Sequence, residues 1–235
     1  MIKLYGFGPS FGMPDSSPFV CKIDLYLRVC GIEFESVNNV NNLRKAPKAK
    51  LPFIEDNGEM IADTVFIIDH LKQQHCADVD SSLNPEQRSL AQLIGKSIDE
   101  NLYWSVVHSR WINDDTWPII RAQFFDSMPF PLNKIIPPIA RRATRKQLVG
   151  HGIGKHSDAQ MQDIARSSLD SLEVLLGDKP YFFGDKISSL DITVFGTVGA
   201  LTLATIDNEM NRLARSYEKL NTLLHKIKRD YYPQL

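Results

Sequence analysis

The sequence predicts an α/β domain followed by an all-α domain. Three observations divide it. Residues 1–76 alternate strand-like runs with helical periodicity, around a proline-bearing hairpin pattern. Residues 86–235 carry apolar residues at helical spacing almost throughout. Between them, Cys76 to Pro85 holds Asp78, Asp80, Ser81, Ser82 and Asn84, the composition of an interdomain linker.

The first domain begins with β-favouring residues from Ile2 to Phe7. A loop rich in glycine and proline follows, with Gly6, Gly8, Pro9, Gly12, Met13 and Pro14. Ser17 before Pro18 is a helix start, because proline's missing N–H costs nothing at the first helical position. Val20, Ile23, Leu27 and Cys30 form an apolar stripe for a helix ending near Gly31. Phe34 to Val40 predicts a second strand, and Asn41 to Lys50 a polar, basic loop. Leu51 to Glu55 and Met60 to Ala62 flank Asp56-Asn57-Gly58, the pattern of a β-hairpin. Pro52 belongs at a strand start or edge, where a cis bond is tolerated. Thr64 is the expected N-cap of a helix with Val65, Ile68 and Leu71 on one face. The resulting order, β-α-β then β-β-α, resembles the thioredoxin-like arrangement of a mixed sheet flanked by helices.

In the second domain Leu90, Leu93, Ile94, Ile98 and Leu102 mark the inner face of a long helix that continues to Trp111. Further helices are expected from Thr116 to Ser127, Leu132 to Leu148, Asp158 to Leu176, Ser189 to Ala204 and Asn208 to Lys228. Pro118, Pro129, Pro131, Pro137 and Pro138 are expected to break or bend the middle ones. Ser188 and Asp191, three apart before an apolar run, predict a capping box with a folding role.

Bulk composition excludes several functions. A formal net charge of −1 gives no electrostatic case for nucleic acid or an anionic membrane. The most apolar window, Ile187 to Ile206, contains Asp191 and several small polar residues and reads as a buried helix, not a transmembrane span. Three cysteines, Cys21, Cys30 and Cys76, make no paired framework, which favours a reducing compartment, and the cytoplasm is the expected location. His70 and His75, five apart, and His151 and His156 give no convincing metal-ligand spacing, so no metal is expected.

Leu51-Pro52, Asp63-Thr64 and Ser188-Asp191 together resemble elements of the glutathione transferase superfamily. The resemblance implies that the backbone at Leu51 and Pro52 pairs with the cysteinyl part of glutathione as co-substrate. It also implies that Asp63 takes the γ-glutamyl ammonium while Thr64, at a helix N-terminus, receives a carboxylate. Ser17-Pro18-Phe19-Val20 stands where a redox member would carry Cys-x-x-Cys, so dithiol exchange by that motif is not expected. Ser17 would instead hydrogen-bond the glutathione thiolate and favour its charged form, catalysing without covalent attack. Ser16 and Ser10 are fallback candidates, Tyr5 a weaker one, and plain capping is the alternative for Ser17. Tyr103, Trp104, His108 and Trp111 are candidates for the wall of an electrophile pocket, the alternative being core packing. The stretch from Glu100 to Trp111 and the Gly152–Ser157 turn sharpen the likeness to the metaxin and failed-axon-connections branch, in its soluble bacterial form.

The expected activity is therefore transfer of the glutathione thiolate to a small hydrophobic electrophile, in a homodimer. Two rivals remain at this point. One is a non-catalytic binding or assembly protein of the same fold. The other is a glutathione-dependent reductase or peroxidase working through Cys21.

Overall fold

A computed structural model describes residues 1–235. Its first unit runs β1 (Ile2–Gly6), α1 (Pro18–Val29), β2 (Phe34–Asn38), a single turn α2 (Asn42–Lys45), β3 (Phe53–Asp56), β4 (Glu59–Ala62) and α3 (Thr64–His75). The sheet order is β2-β1-β3-β4. β1 and β2 are parallel, as a helical crossover requires, while β3 lies antiparallel to both β1 and β4. This is the mixed-sheet arrangement that the order of elements predicts.

The register brings the loops at one end of the sheet together. Tyr5 pairs with Phe53, and Phe53 with Ala62. One step further along the same ladders sets Gly6, Pro52 and Asp63 side by side at one end of the sheet. β2, parallel to β1, also ends there. The Leu51–Pro52 peptide is cis.

The second unit is helical: α4 (Pro85–Ser97), a wide π-helical turn (Ile98–Leu102), α5 (Tyr103–Trp111), α6 (Trp117–Phe125), α7 (Leu132–His151), a 3-10 turn (Ile153–Lys155), α8 (Asp158–Leu176), α9 (Ser189–Thr197), α10 (Gly199–Thr202), α11 (Glu209–Arg215) and α12 (Glu218–Tyr231). None of these helices is long and apolar enough to cross a membrane.

Several expectations change. β2 stops at Asn38, two residues short of Val40. Thr64 is the first helical residue of α3, and the cap is Asp63, whose Oδ1 accepts the Val65 N–H at 3.2 Å. The helix expected from Ser189 to Ala204 ends at Thr197 and resumes as α10, and the one from Asn208 to Lys228 is interrupted at Ser216 and Tyr217. Helix α7 runs unbroken through Pro137 and Pro138 and on to His151. Their two missing N–H groups fall within one turn, so a single weak spot is bridged by the long helix around it.

The two units share one apolar core. α1 is buried on every side, with Ile23, Leu25, Tyr26 and Leu27 fully enclosed between the sheet and α9. Gly196 of α9 permits that crossing, since a Cβ there would lie 2.5 Å from the Pro18 carbonyl oxygen. Polar ties reinforce it. Lys22 Nζ meets Asp99 Oδ2 at 2.8 Å in a buried ion pair. Tyr232, stacked on Phe195, donates to Asp24 Oδ1 at 2.7 Å. The linker is likewise fixed, with buried Asp80 accepting the Ser189 N–H at 2.8 Å. The capping box forms as the spacing predicts: Asp191 Oδ2 accepts the Ser188 N–H and hydroxyl at 2.8 and 2.5 Å.

Candidate functional site

The loop between β1 and α1 is held by polar contacts. Asp15 is its centre. Its Oδ2 accepts the Gly8 N–H at 2.7 Å and its Oδ1 the Ser17 N–H at 2.8 Å. Gly6 allows this approach, because a Cβ there would sit 2.5 Å from Asp15 Oδ2. Burial pushes the Asp15 carboxyl up to about 7, against the lowering effect of its backbone hydrogen bonds. On the other flank buried Asn42 donates to the Gly6 and Val37 carbonyls at 2.9 and 2.7 Å, tying the segment after β2 to the same end of the sheet.

This frame presents Ser17 at the N-cap of α1, half-buried, with extended backbone. Its Oγ accepts the Val20 N–H at 3.4 Å, a long and weak bond that leaves the hydroxyl proton free to donate. The positive end of α1 adds to the attraction for an anion here. Ser16 is buried and its hydroxyl is joined to that of Ser10 at 2.5 Å. Tyr5 stacks on Phe53 at 4.2 Å and donates to Glu55 at 2.7 Å, so its hydroxyl is engaged on the sheet.

Ser17 opens onto a cavity of about 450 Å³ between the two units. Phe7, Ser16, Ser17 and Pro18 form one wall. Tyr103, Val107, Arg110 and Trp111 of α5 form another, and Phe124, Phe125 and Met128 close it with the start of α7. The expected face of α5 is thus rotated. Tyr103 and Trp111 line the cavity, whereas Trp104 and His108 do not. Trp104 packs on His151 at 4.9 Å, and His108 lies 3.6 Å from Asp158, its pKa lowered chiefly by burial. The Tyr103 ring rests against Phe19 at 4.7 Å. Its surroundings raise its pKa, so the phenol keeps its proton.

Arg110 is the cavity residue that sequence reasoning missed. It is buried and donates to the Ser16 carbonyl and the Ala200 carbonyl, each at 2.9 Å, with no carboxylate partner. Burial lowers its pKa to about 10. A charged residue spaced among aromatic ones reads as surface; only its spacing with Tyr103 and Val107 could have placed it on the inner face.

Leu51, Pro52, Asp63 and Thr64 do not line this cavity. Pro52 and Asp63 share the end of the sheet with Gly6, through the register described above. Leu51 and Thr64 are buried and Asp63 is exposed at the tip of α3 with φ of 84°. Cys21 is enclosed in α1, 3.3 Å from the Asp15 carbonyl, and burial pushes its thiol well up. A buried, protonated thiol is a poor redox centre, which argues against the Cys21 rival.

His70 and His75, five apart in sequence, are brought together by the fold. Both reach one oxygen of Asp56, His70 Nε2 at 2.9 Å and His75 Nε2 at 2.8 Å. Five residues apart they do not share a regular helix face, but His75 is the last residue of α3 and its Nε2 still reaches Asp56.

Comparison with known proteins adds the family. A family profile described as "Glutathione S-transferase N-terminal domain" matches residues 18–117, and one described as "Glutathione S-transferase, C-terminal domain" matches residues 165–227. The isoprene-epoxide glutathione S-transferase of Rhodococcus sp. (strain AD45) is 32% identical over 210 residues, covering 84% of this chain and 85% of that protein. Metaxin-3 of Xenopus laevis is 28% identical, over 96% of this chain and 74% of its own length. A crystal structure of a Ceriporiopsis subvermispora glutathione S-transferase in complex with glutathione superposes with a TM-score of 0.68 at 18% identity, over 99% of this chain and 96% of that one.

Proposed function

The chain belongs to the glutathione S-transferase family, and from that premise we propose that it conjugates the glutathione thiolate to a small, hydrophobic electrophile of the epoxide type. The observation that carries the reading is a serine hydroxyl at a helix N-terminus, opening onto an apolar cavity between the two units. Glutathione lies along the end of the sheet, its cysteinyl backbone against Leu51 and Pro52 and its γ-glutamyl group at Asp63 and Thr64. Its sulfur then reaches Ser17. The Ser17 hydroxyl, the α1 dipole and the Arg110 guanidinium each favour thiolate over thiol, whose ordinary pKa is about 8.5.

The electrophile sits against Tyr103, Trp111 and Phe124. In an epoxide the thiolate attacks a ring carbon, forming the C–S bond as the C–O bond breaks. The developing alkoxide takes the proton of the Tyr103 phenol, which makes no hydrogen bond within the chain and is replenished from solvent. The volume of about 450 Å³ lies at the small end of ligand pockets, which suits a compact co-substrate.

Calorimetric titration of reduced glutathione, with Asp63→Ala as control, tests the ligand site. Saturable binding weakened by the substitution is expected. No heat at millimolar glutathione would overturn the reading and favour the non-catalytic binding or assembly rival.

A further inference from the structure

The cluster at the opposite end of α3 has no part in that chemistry. Asp56 ends β3 at the hairpin turn and is buried. His70 and His75 come from the second half of α3, with side chains 15% and 29% exposed. Both imidazoles converge through Nε2 on the same carboxylate oxygen, Oδ2, at 2.9 and 2.8 Å. The three donor atoms all lie within 4.8 Å of one another.

We propose that Asp56, His70 and His75 form a binding site for one divalent transition-metal ion, with zinc as the best fit. Two imidazole nitrogens and one carboxylate oxygen are a zinc donor set, with bonds of about 2.0–2.2 Å. Tetrahedral bonds of that length separate adjacent donors by roughly 3.3 Å, so each imidazole nitrogen retreats about half an ångström from Asp56 Oδ2, and the two nitrogens, no more than 4.8 Å apart, settle at the same spacing. On binding, each Nε2 lone pair goes to the metal and its proton moves to Nδ1 or to solvent. The exposed His75 leaves the fourth position to water.

The mechanical consequence follows from the topology. The hairpin β3–β4 and helix α3 are adjacent in sequence, and Asp56 and His75 lie near the two ends of that segment. A shared metal closes the segment into a loop and clamps α3 against the sheet. The site stands on its own donors and does not depend on the glutathione reading.

The untagged full-length protein, stripped with a chelator, is titrated with zinc by calorimetry and with cobalt by visible absorption. One equivalent of zinc, micromolar or tighter, is expected, together with the intense visible bands of tetrahedral cobalt. His75→Gln, at an exposed position at the end of α3, should weaken binding at least tenfold and abolish the cobalt bands. Cys76→Ser, beside the site, should change neither. Substoichiometric zinc, octahedral cobalt spectra, or binding equal in the parent and His75→Gln would each overturn the site and leave a hydrogen-bonded pair of histidines.

Discussion

Replacing Ser17 with alanine separates capping from the proposed catalytic role, because the two differ in magnitude. The cap bond is the Val20 N–H to Ser17 Oγ contact of 3.4 Å, long enough to put its loss at the low end of cap energies, about 0.5 kcal/mol. The second contact of this residue, Ser17 N–H to Asp15 at 2.8 Å, uses the backbone and survives the substitution. For a chain of this size about 0.5 kcal/mol lowers Tm by roughly 1–2 °C. The hydrogen bond to a thiolate is charge-assisted and worth about 1.5–3 kcal/mol. If it strengthens as the thiolate forms, Ser17→Ala should lower kcat/KM by roughly 10- to 150-fold, at 1.4 kcal/mol per decade. The assay is conjugation of glutathione to a small epoxide, read with a pH profile. The apparent thiol pKa of the bound glutathione should rise in the variant. A fall in kcat/KM of less than about threefold with an unmoved pH profile would refute the reasoning. Ser16→Ala is the control, since the Ser16 hydroxyl is already committed to Ser10 and its loss should leave the thiol pKa unchanged.

Two further outcomes concern the loop before α1 and the packing of α1 itself. Asp15 is raised from 3.8 to about 7, mainly by burial, so the folded chain holds its proton more tightly than the unfolded one; this destabilises the fold as pH rises from about 4 through about 7, by roughly 4 kcal/mol in all. Asp15→Asn cannot titrate, so whatever its offset, its Tm relative to the parent should improve across that window in melts from pH 5 to 8, and a pH-independent difference would exclude Asp15 as the source. Gly196→Ala drives a methyl group to within 2.5 Å of the Pro18 carbonyl oxygen, which is backbone and cannot swing aside. Overpacking of this kind costs about 1–3 kcal/mol, so Tm should fall by several degrees and activity with it, because Pro18 follows Ser17; an unchanged melt would show that α1 and α9 slide freely.

Where local chemistry decides the structure, the sequence was readable. Ser17-Pro18 starts α1, Ser188 and Asp191 box α9, and the hairpin falls on Asp56 to Glu59 because each feature is set by residues within a few positions of one another. Helix α5 shows where this stops. Trp104, His108 and Trp111 share one face and Tyr103, Val107 and Arg110 the next, with Trp111 at the edge of both. Aromatic content favoured the first stripe, while packing against α8 and His151 took Trp104 and His108 out of the cleft. Asp15 carries no local signature, since its two N–H donors arrive only when the loop closes. The partner of His70 and His75 lies 14 and 19 residues away on a strand, outside any helical spacing.

Arg110 joins these observations. A guanidinium that is fully buried, bonded to two carbonyls and lacking a carboxylate is destabilised relative to water; the drop of its pKa from 12.5 to about 10 corresponds to roughly 3 kcal/mol. For fold stability alone an apolar side chain would serve better at this position, as with other buried charges. The residue makes sense if the missing counter-charge arrives with a ligand. A thiolate beside Ser17 would supply it, in the cavity that Arg110 itself lines and next to the Ser16 carbonyl that it holds. The same cation would then position the serine loop in the free protein and stabilise the anion in the complex, so part of the folding energy withheld at Arg110 is recovered on binding. On this view the preference for thiolate comes from a frame of Asp15, Asn42 and Arg110 built before glutathione arrives, with Ser17 as its point of contact.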